Sequence, residues 1–209
     1  MHLKQGSFMK TSIRSRTTGK TVVNGIYETR KVLLKIGTES VAKYYKQRPG
    51  VKRRYRVEKL ALQRMRGIAG IPRLIRSVDT SRLLEMSRLP GTSATALSEG
   101  NLRDLAALVE KMLAAGVARH SLPLRDILVD THGNVGLVDF ERSTLRPRLW
   151  RPDWSIAKAV TRYHLYRLFA EQQPQLLNPQ QWRLVNIGRK LRSPVSLFHA
   201  WTKSLRKPA

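Results

Sequence analysis

Short runs with strand-like spacing fill the first part of the chain and give way, beyond residue 90, to a longer helical stripe. Thr21-Val22-Val23, Val32–Ile36 and Ser40–Tyr45 are rich in β-branched and aromatic residues, with Gly25 and Gly37 as turn formers between or near them. The spacing then changes. Val57, Leu60, Ala61, Arg64 and Met65 fall at i, i+3, i+4, i+7 and i+8, which predicts a helix from Arg53 to Arg66 with Gly67 as its C-cap. Two further short strands are expected near 73–78 and 82–86. Leu89-Pro90-Gly91-Thr92-Ser93 breaks the pattern and marks a boundary between a lobe of residues 1–90 and a second of residues 91–209.

The second part opens with a well-marked helix. Asn101 can cap it, Asp104 sits in its first turn, and Leu102, Leu105, Ala106, Val109, Met112 and Leu113 form one apolar stripe that ends at Gly116. Ile127–Val129 and Val135–Val138 are β-prone runs joined by Thr131-His132-Gly133-Asn134, the pattern of a hairpin. A last helical region begins at Asp153, placed to act as its N-cap.

Composition narrows the partners. The chain has 209 residues, 41% of them hydrophobic, which fits a globular protein with a sizeable core. No run approaches the roughly 18–20 apolar residues of a membrane span. The first residues lack the apolar stretch of a signal peptide, so a cytoplasmic location is expected, in places peripheral to a membrane. The absence of cysteine excludes disulfides and thiolate metal sites. With 40 Lys and Arg against 14 Asp and Glu, the net charge of +26 calls for an anionic partner. The basic residues are dispersed apart from Lys52-Arg53-Arg54-Tyr55-Arg56, and no RNA-binding aromatic signature or Cys/His finger occurs. An anionic membrane or lipid head group is therefore favoured over nucleic acid.

Against that background, four of the 14 acids crowd into residues 126–141: Asp126, Asp130, Asp139 and Glu141. If the hairpin is centred near His132 and Gly133, Asp126 and Asp139 face each other at its open end. Carboxylates held that close repel unless a cation or proton lies between them, and oxygen ligands suit Mg²⁺. Asp130 and His132 read as turn residues.

The order of elements and several residues together resemble the protein-kinase-like superfamily. Val41-Ala42-Lys43 resembles the strand motif whose lysine grips nucleotide phosphates, and Glu58, in the following helix, matches the glutamate that pairs with it. Asp139-Phe140-Glu141 resembles the metal-binding Asp-Phe-Gly motif, with Glu in place of Gly, and Asp126 takes the place of the metal-binding asparagine of the catalytic loop. Asp153 resembles the aspartate that braces that loop. Because 68 residues follow Glu141 without an Ala-Pro-Glu motif, the plan is more similar to bacterial lipopolysaccharide-core sugar kinases (Kdo and heptose kinases) and RIO-type kinases.

The resemblance implies an α+β, bilobal fold: a five-stranded antiparallel sheet with one helix, then a short, mainly helical lobe. It implies ATP and Mg²⁺ as cofactors, Lys43, Glu58, Glu85 and Met86 as nucleotide-binding residues, and Asp126 and Asp139 as metal ligands. The acceptor would be a sugar hydroxyl of an anionic glycolipid or a protein Ser/Thr. Two departures stand out. The family's catalytic-loop His-x-Asp-Leu has no equivalent, since counting back five from Asp126 gives Ser121, and placing His120 at the histidine position gives Leu122. His120 and Ser121 are the candidate catalytic residues left there. No G-x-G-x-x-G loop precedes Val32, and Thr18-Gly19-Lys20-Thr21 fails as a Walker A motif because Arg14 stands at its first glycine. Two alternatives to a kinase follow: a nucleotide-binding or scaffold module that has lost transfer, and a basic binder of nucleic acid or membrane surfaces.

Overall fold

The computed structural model describes residues 24–149 and 152–190. The fold is α+β. Five antiparallel strands, β1 (Ile26–Glu28), β2 (Val32–Ile36), β3 (Ser40–Tyr45), β4 (Leu74–Val78) and β5 (Leu83–Ser87), form one sheet in the order β1-β2-β3-β5-β4. The helix α1 (Val51–Arg64) joins β3 to β4. The expected strand at Thr21–Val23 and the Thr18–Thr21 segment lie outside the described residues.

β2 and β3 occupy the bounds their alternation predicts. In β3 the alternation also sorts the side chains, because successive residues of a strand point to opposite faces. Lys43 and Tyr45 are buried while Ala42 and Tyr44 are half-buried. The buried face of α1 departs from expectation. It runs through Val51, Tyr55, Glu58, Ala61 and Leu62, whereas Leu60, assigned to the apolar stripe, is exposed. A search for apolar periodicity passes over Glu58, and Glu58 sits at the middle of the face that packs inward.

After β5 the chain passes through Gly91 to β6 (Thr92–Ser93) and α2 (Glu99–Ala114). The cap of α2 is Ser98, not Asn101. The Ser98 hydroxyl accepts from the Asn101 amide at 3.1 Å, and Asn101 Oδ1 accepts from the Ser98 amide at 3.2 Å. Asn101 is thus the return half of a capping box, which satisfies two amides at once. Leu102, Leu105, Leu108, Val109, Met112 and Leu113 bury one face of α2 in the core.

Four short strands follow: β7 (Val117–Arg119), β8 (Ile127–Val129), β9 (Val135–Leu137) and β10 (Ser143–Leu145). β8 and β9 form the expected hairpin, with β6 on its outer side, and β7 pairs with β10. α3 (Pro152–Gln172) lies against β7 and β10. Asp153 falls within the first turn of α3 instead of capping it. Among the described residues, no helix is long and apolar enough to cross a membrane.

Gly91 is where the chain leaves β5 for the second half, and it passes very close to the hairpin. Its φ is +92°, and a Cβ there would lie 2.3 Å from the Val129 carbonyl oxygen and 2.7 Å from the Asp130 nitrogen. Backbone atoms cannot yield as a flexible side chain can. Gly91→Ala is expected to cost at least about 2 kcal/mol, combining left-handed strain with overpacking. Urea unfolding checks this, and a loss under about 0.5 kcal/mol would contradict the close approach.

Candidate active site

The inward face of β3, the middle of α1 and the residues after β9 meet at one buried cluster. Lys43 Nζ donates to Glu58 Oε2 at 2.7 Å and to Asp139 Oδ1 at 2.9 Å. Glu58 is 1% exposed and receives two more hydrogen bonds, from the Tyr45 hydroxyl at Oε2 and from the Phe140 amide at Oε1, the latter at 3.2 Å. Both carboxylate oxygens are therefore engaged. The Lys43 ammonium also lies 5.2 Å from the centre of the Tyr45 ring, a cation–π contact. Burial works against the Lys43 charge, but the carboxylates of Glu58 and Asp139 outweigh it and push the lysine pKa above its ordinary value.

Asp139 reaches this cluster through its backbone. Its φ of 66° lies in the left-handed region, which asparagine and aspartate enter more readily than other side-chain-bearing residues. The turn sends Phe140 into the core, where it is 1% exposed, and leaves the Asp139 side chain 45% exposed beside Lys43. Burial raises its pKa less than Lys43 lowers it, so Asp139 is held below the usual carboxylate range.

Asp126 ends a single turn of 3₁₀ helix, Leu124–Asp126, just before β8. The hairpin register places it one residue away from expectation. Ile127 pairs with Leu137, and the Val138 amide donates to the Asp126 carbonyl at 3.0 Å, so Asp126 faces Val138 instead of Asp139. The two acids still sense each other. Burial, followed by the pull of Arg119 and the repulsion of Asp139, leaves the Asp126 pKa above its ordinary value. Its Oδ2 accepts from Arg119 Nη2 at 2.6 Å, and Oδ1 is 3.6 Å from Arg125 Nε. Among the described residues, no group of three or more His, Asp or Glu side chains is arranged to hold a metal ion. A magnesium ion at Asp139 would have to draw its remaining ligands from phosphate oxygens and water, its usual habit at nucleotide sites.

The other expected residues divide. Met86 pairs with Val41 across β3 and β5 and is buried on the face shared by Lys43 and Leu84. Glu85 points to the opposite face, where its carboxylate meets Arg76 at 3.1 Å and the Ser40 hydroxyl at 3.3 Å. The structure therefore does not bring the Glu85 side chain to Lys43, because adjacent strand residues alternate faces. Leu122 is fully buried, while His120 and Ser121 are exposed, with His120 Nε2 2.8 Å from the Thr144 hydroxyl. Leu122 thus belongs to the core, and Ser121 is the residue in the loop five positions before Asp126. Asp153 is exposed, and from α3 the Thr161 hydroxyl donates to the Arg119 carbonyl at 2.8 Å.

Arg119 and Tyr45 are the residues that sequence reasoning missed. Arg119 is 5% exposed, donates to the Val138 carbonyl at 2.8 Å and lies over the Phe140 ring at 5.3 Å. A signal existed: Arg119 ends the apolar run Val117-Ala118 seven residues before Asp126. The cavities of about 400 Å³ between α2 and α3 and about 550 Å³ beside Arg64 and Arg146 share no lining residue with the cluster. The candidate site is defined by its polar geometry.

No protein-family model and no curated protein sequence matches the chain. Its fold is similar to 1312 chains of solved structures, a number too broad to single out a function. One is WbdD, in its co-crystal structure with the kinase inhibitor LY294002, at 18% sequence identity and a TM-score of 0.50. The likeness covers 71% of this chain and 38% of that one, and at this identity it speaks for a kinase-like fold alone.

Removing Glu58 would leave the buried Lys43 ammonium with Asp139 as its remaining carboxylate contact and would strand the Phe140 amide. Glu58→Ala is expected to destabilise the protein by about 3–5 kcal/mol in urea unfolding, the cost of breaking a buried ion pair from one side. A loss below about 1 kcal/mol would show that Glu58 does not join α1 to β3 and Asp139.

Proposed function

We propose that the chain is an ATP-dependent phosphotransferase. The observation that carries this reading is the buried Lys43–Glu58 pair bonded at once to Asp139 and to the Phe140 amide. A lysine held charged and immobile at the edge of a half-exposed carboxylate is suited to a nucleotide triphosphate: Lys43 to contact the α- and β-phosphates, Glu58 to orient Lys43, Asp139 to hold magnesium. The metal would neutralise phosphate charge when bound. Met86, on the Lys43 face of β5, would line the nucleotide's side of the site.

The acceptor we favour is the sugar hydroxyl of an anionic, lipopolysaccharide-type glycolipid, with a protein Ser/Thr as the other choice. The net charge of +26 supports a partner at an anionic membrane surface, reached from the cytoplasmic side. Nucleic acid has less support.

Phosphoryl transfer relies mainly on positioning and charge neutralisation, so a site without a carboxylate at the loop position is expected to be slow before it is inert. Exposed Ser121 there, with His120 beside it, favours a second reading, a nucleotide-binding module that transfers no phosphate.

Thermal unfolding with and without ligand tests nucleotide binding. At about 100-fold excess over Kd, ATP with MgCl₂ is expected to add about 2.7 kcal/mol, raising Tm by roughly 5–10 °C. Asp139→Ala should lose the magnesium-dependent part of the shift. If ATP raises Tm under neither condition, both nucleotide readings fail. If ATP binds but labelled phosphate reaches neither glycolipid nor protein, the second reading stands.

A further inference from the structure

Arg119 is held from several sides. Its Nη2 donates to Asp126 Oδ2 at 2.6 Å and its Nη1 to the Val138 carbonyl at 2.8 Å. The guanidinium lies over the buried ring of Phe140, and its own carbonyl accepts from Thr161 of α3. It cannot swing aside without leaving Asp126 and the Val138 carbonyl without their donor.

Kinases place two magnesium ions between the acid-motif aspartate and the catalytic-loop residue. In this chain the loop residue is Asp126, and its carboxylate already faces two cations, Arg119 at 2.6 Å and Arg125 at 3.6 Å. Magnesium needs oxygen ligands at about 2.0–2.1 Å in a near-octahedral shell. To bind Asp126 it would have to share a largely buried carboxylate with a fixed guanidinium, where like charges repel with little screening. The local charge also opposes it. Lys43, Arg119 and Arg125 balance Glu58, Asp126 and Asp139, and Glu141 has Arg142 at 4.0 Å.

We infer that Arg119 stands in for the second divalent cation, pinning and neutralising Asp126 so that nucleotide binds with a single metal ion anchored on Asp139. This rests on the nucleotide-binding reading above. Arg119 is a positioning residue: it acts through Asp126, to which its Nη2 donates.

Manganese counting provides the test, with Mn²⁺ replacing Mg²⁺ and adenylyl imidodiphosphate replacing ATP. The 209-residue chain is titrated with MnCl₂ at limiting nucleotide, and bound Mn²⁺ is read by electron paramagnetic resonance. One Mn²⁺ per bound nucleotide, without the spectrum of a coupled pair, is the expected result. Arg119→Gln should open a second Mn²⁺ site with the coupled spectrum, and Arg119→Gln/Asp126→Ala, which removes the side-chain oxygens, should close it again. Two coupled ions in the wild-type protein would overturn the inference while leaving nucleotide binding intact, and this count decides the matter even if the variants do not fold. No nucleotide binding at all would instead remove the reading on which it rests.

Discussion

A lysine ammonium buried between a sheet and a helix must be matched by negative charge, and the way Lys43 is matched organises this molecule. Glu58 alone could balance it. By also accepting from Tyr45 and from the Phe140 amide, Glu58 connects β3, α1 and the turn after β9 into one hydrogen-bonded unit. An ionised group so far from water is stable only when its lone pairs are filled, so these contacts reinforce one another. The left-handed turn at Asp139 completes the arrangement by returning a carboxylate to the lysine while Phe140 enters the core.

The same unit meets the second half of the fold through Arg119. Its guanidinium bonds both the turn that carries Asp126 and the end of β9 that leads to Asp139, and Thr161 fixes its backbone from α3. The two acids are thereby given different environments. Asp139 is half-exposed beside a lysine that keeps it ionised, whereas Asp126 is largely buried against an arginine. Under the proposed function, the first is the residue open to a metal and the second is occupied by the protein's own cation. Ser121, exposed in the loop between Arg119 and Asp126, is the point where the site departs furthest from a kinase.

Much of the fold is legible in the chain, for identifiable reasons. β2 and β3 are runs rich in β-branched and aromatic residues next to turn formers, and their bounds follow directly. The approach of Glu58 to Lys43 is legible through the resemblance to a kinase-like strand lysine and its helix glutamate, because apolar periodicity passes over Glu58. What escapes is whatever depends on a three-dimensional partner. β7 and β10 are three residues each, too short for any period. Arg119 is one of 40 basic residues until Asp126 is placed beside it. Glu85 looks as close to the cleft as Met86, yet strand alternation turns it toward Arg76. Asp153, a reasonable cap by position, falls inside the exposed first turn of α3, and Thr161, two turns later, donates to the Arg119 carbonyl.

The central claim is that Lys43 is a nucleotide-phosphate lysine, and chemical footprinting tests it most directly. An acyl-phosphate derivative of ATP transfers its acyl group to an amine held beside the phosphates, and mass spectrometry identifies the lysine modified. The account predicts labelling of Lys43 that excess ATP with magnesium suppresses. Labelling confined to other lysines, or labelling of Lys43 that ATP does not reduce, would contradict it.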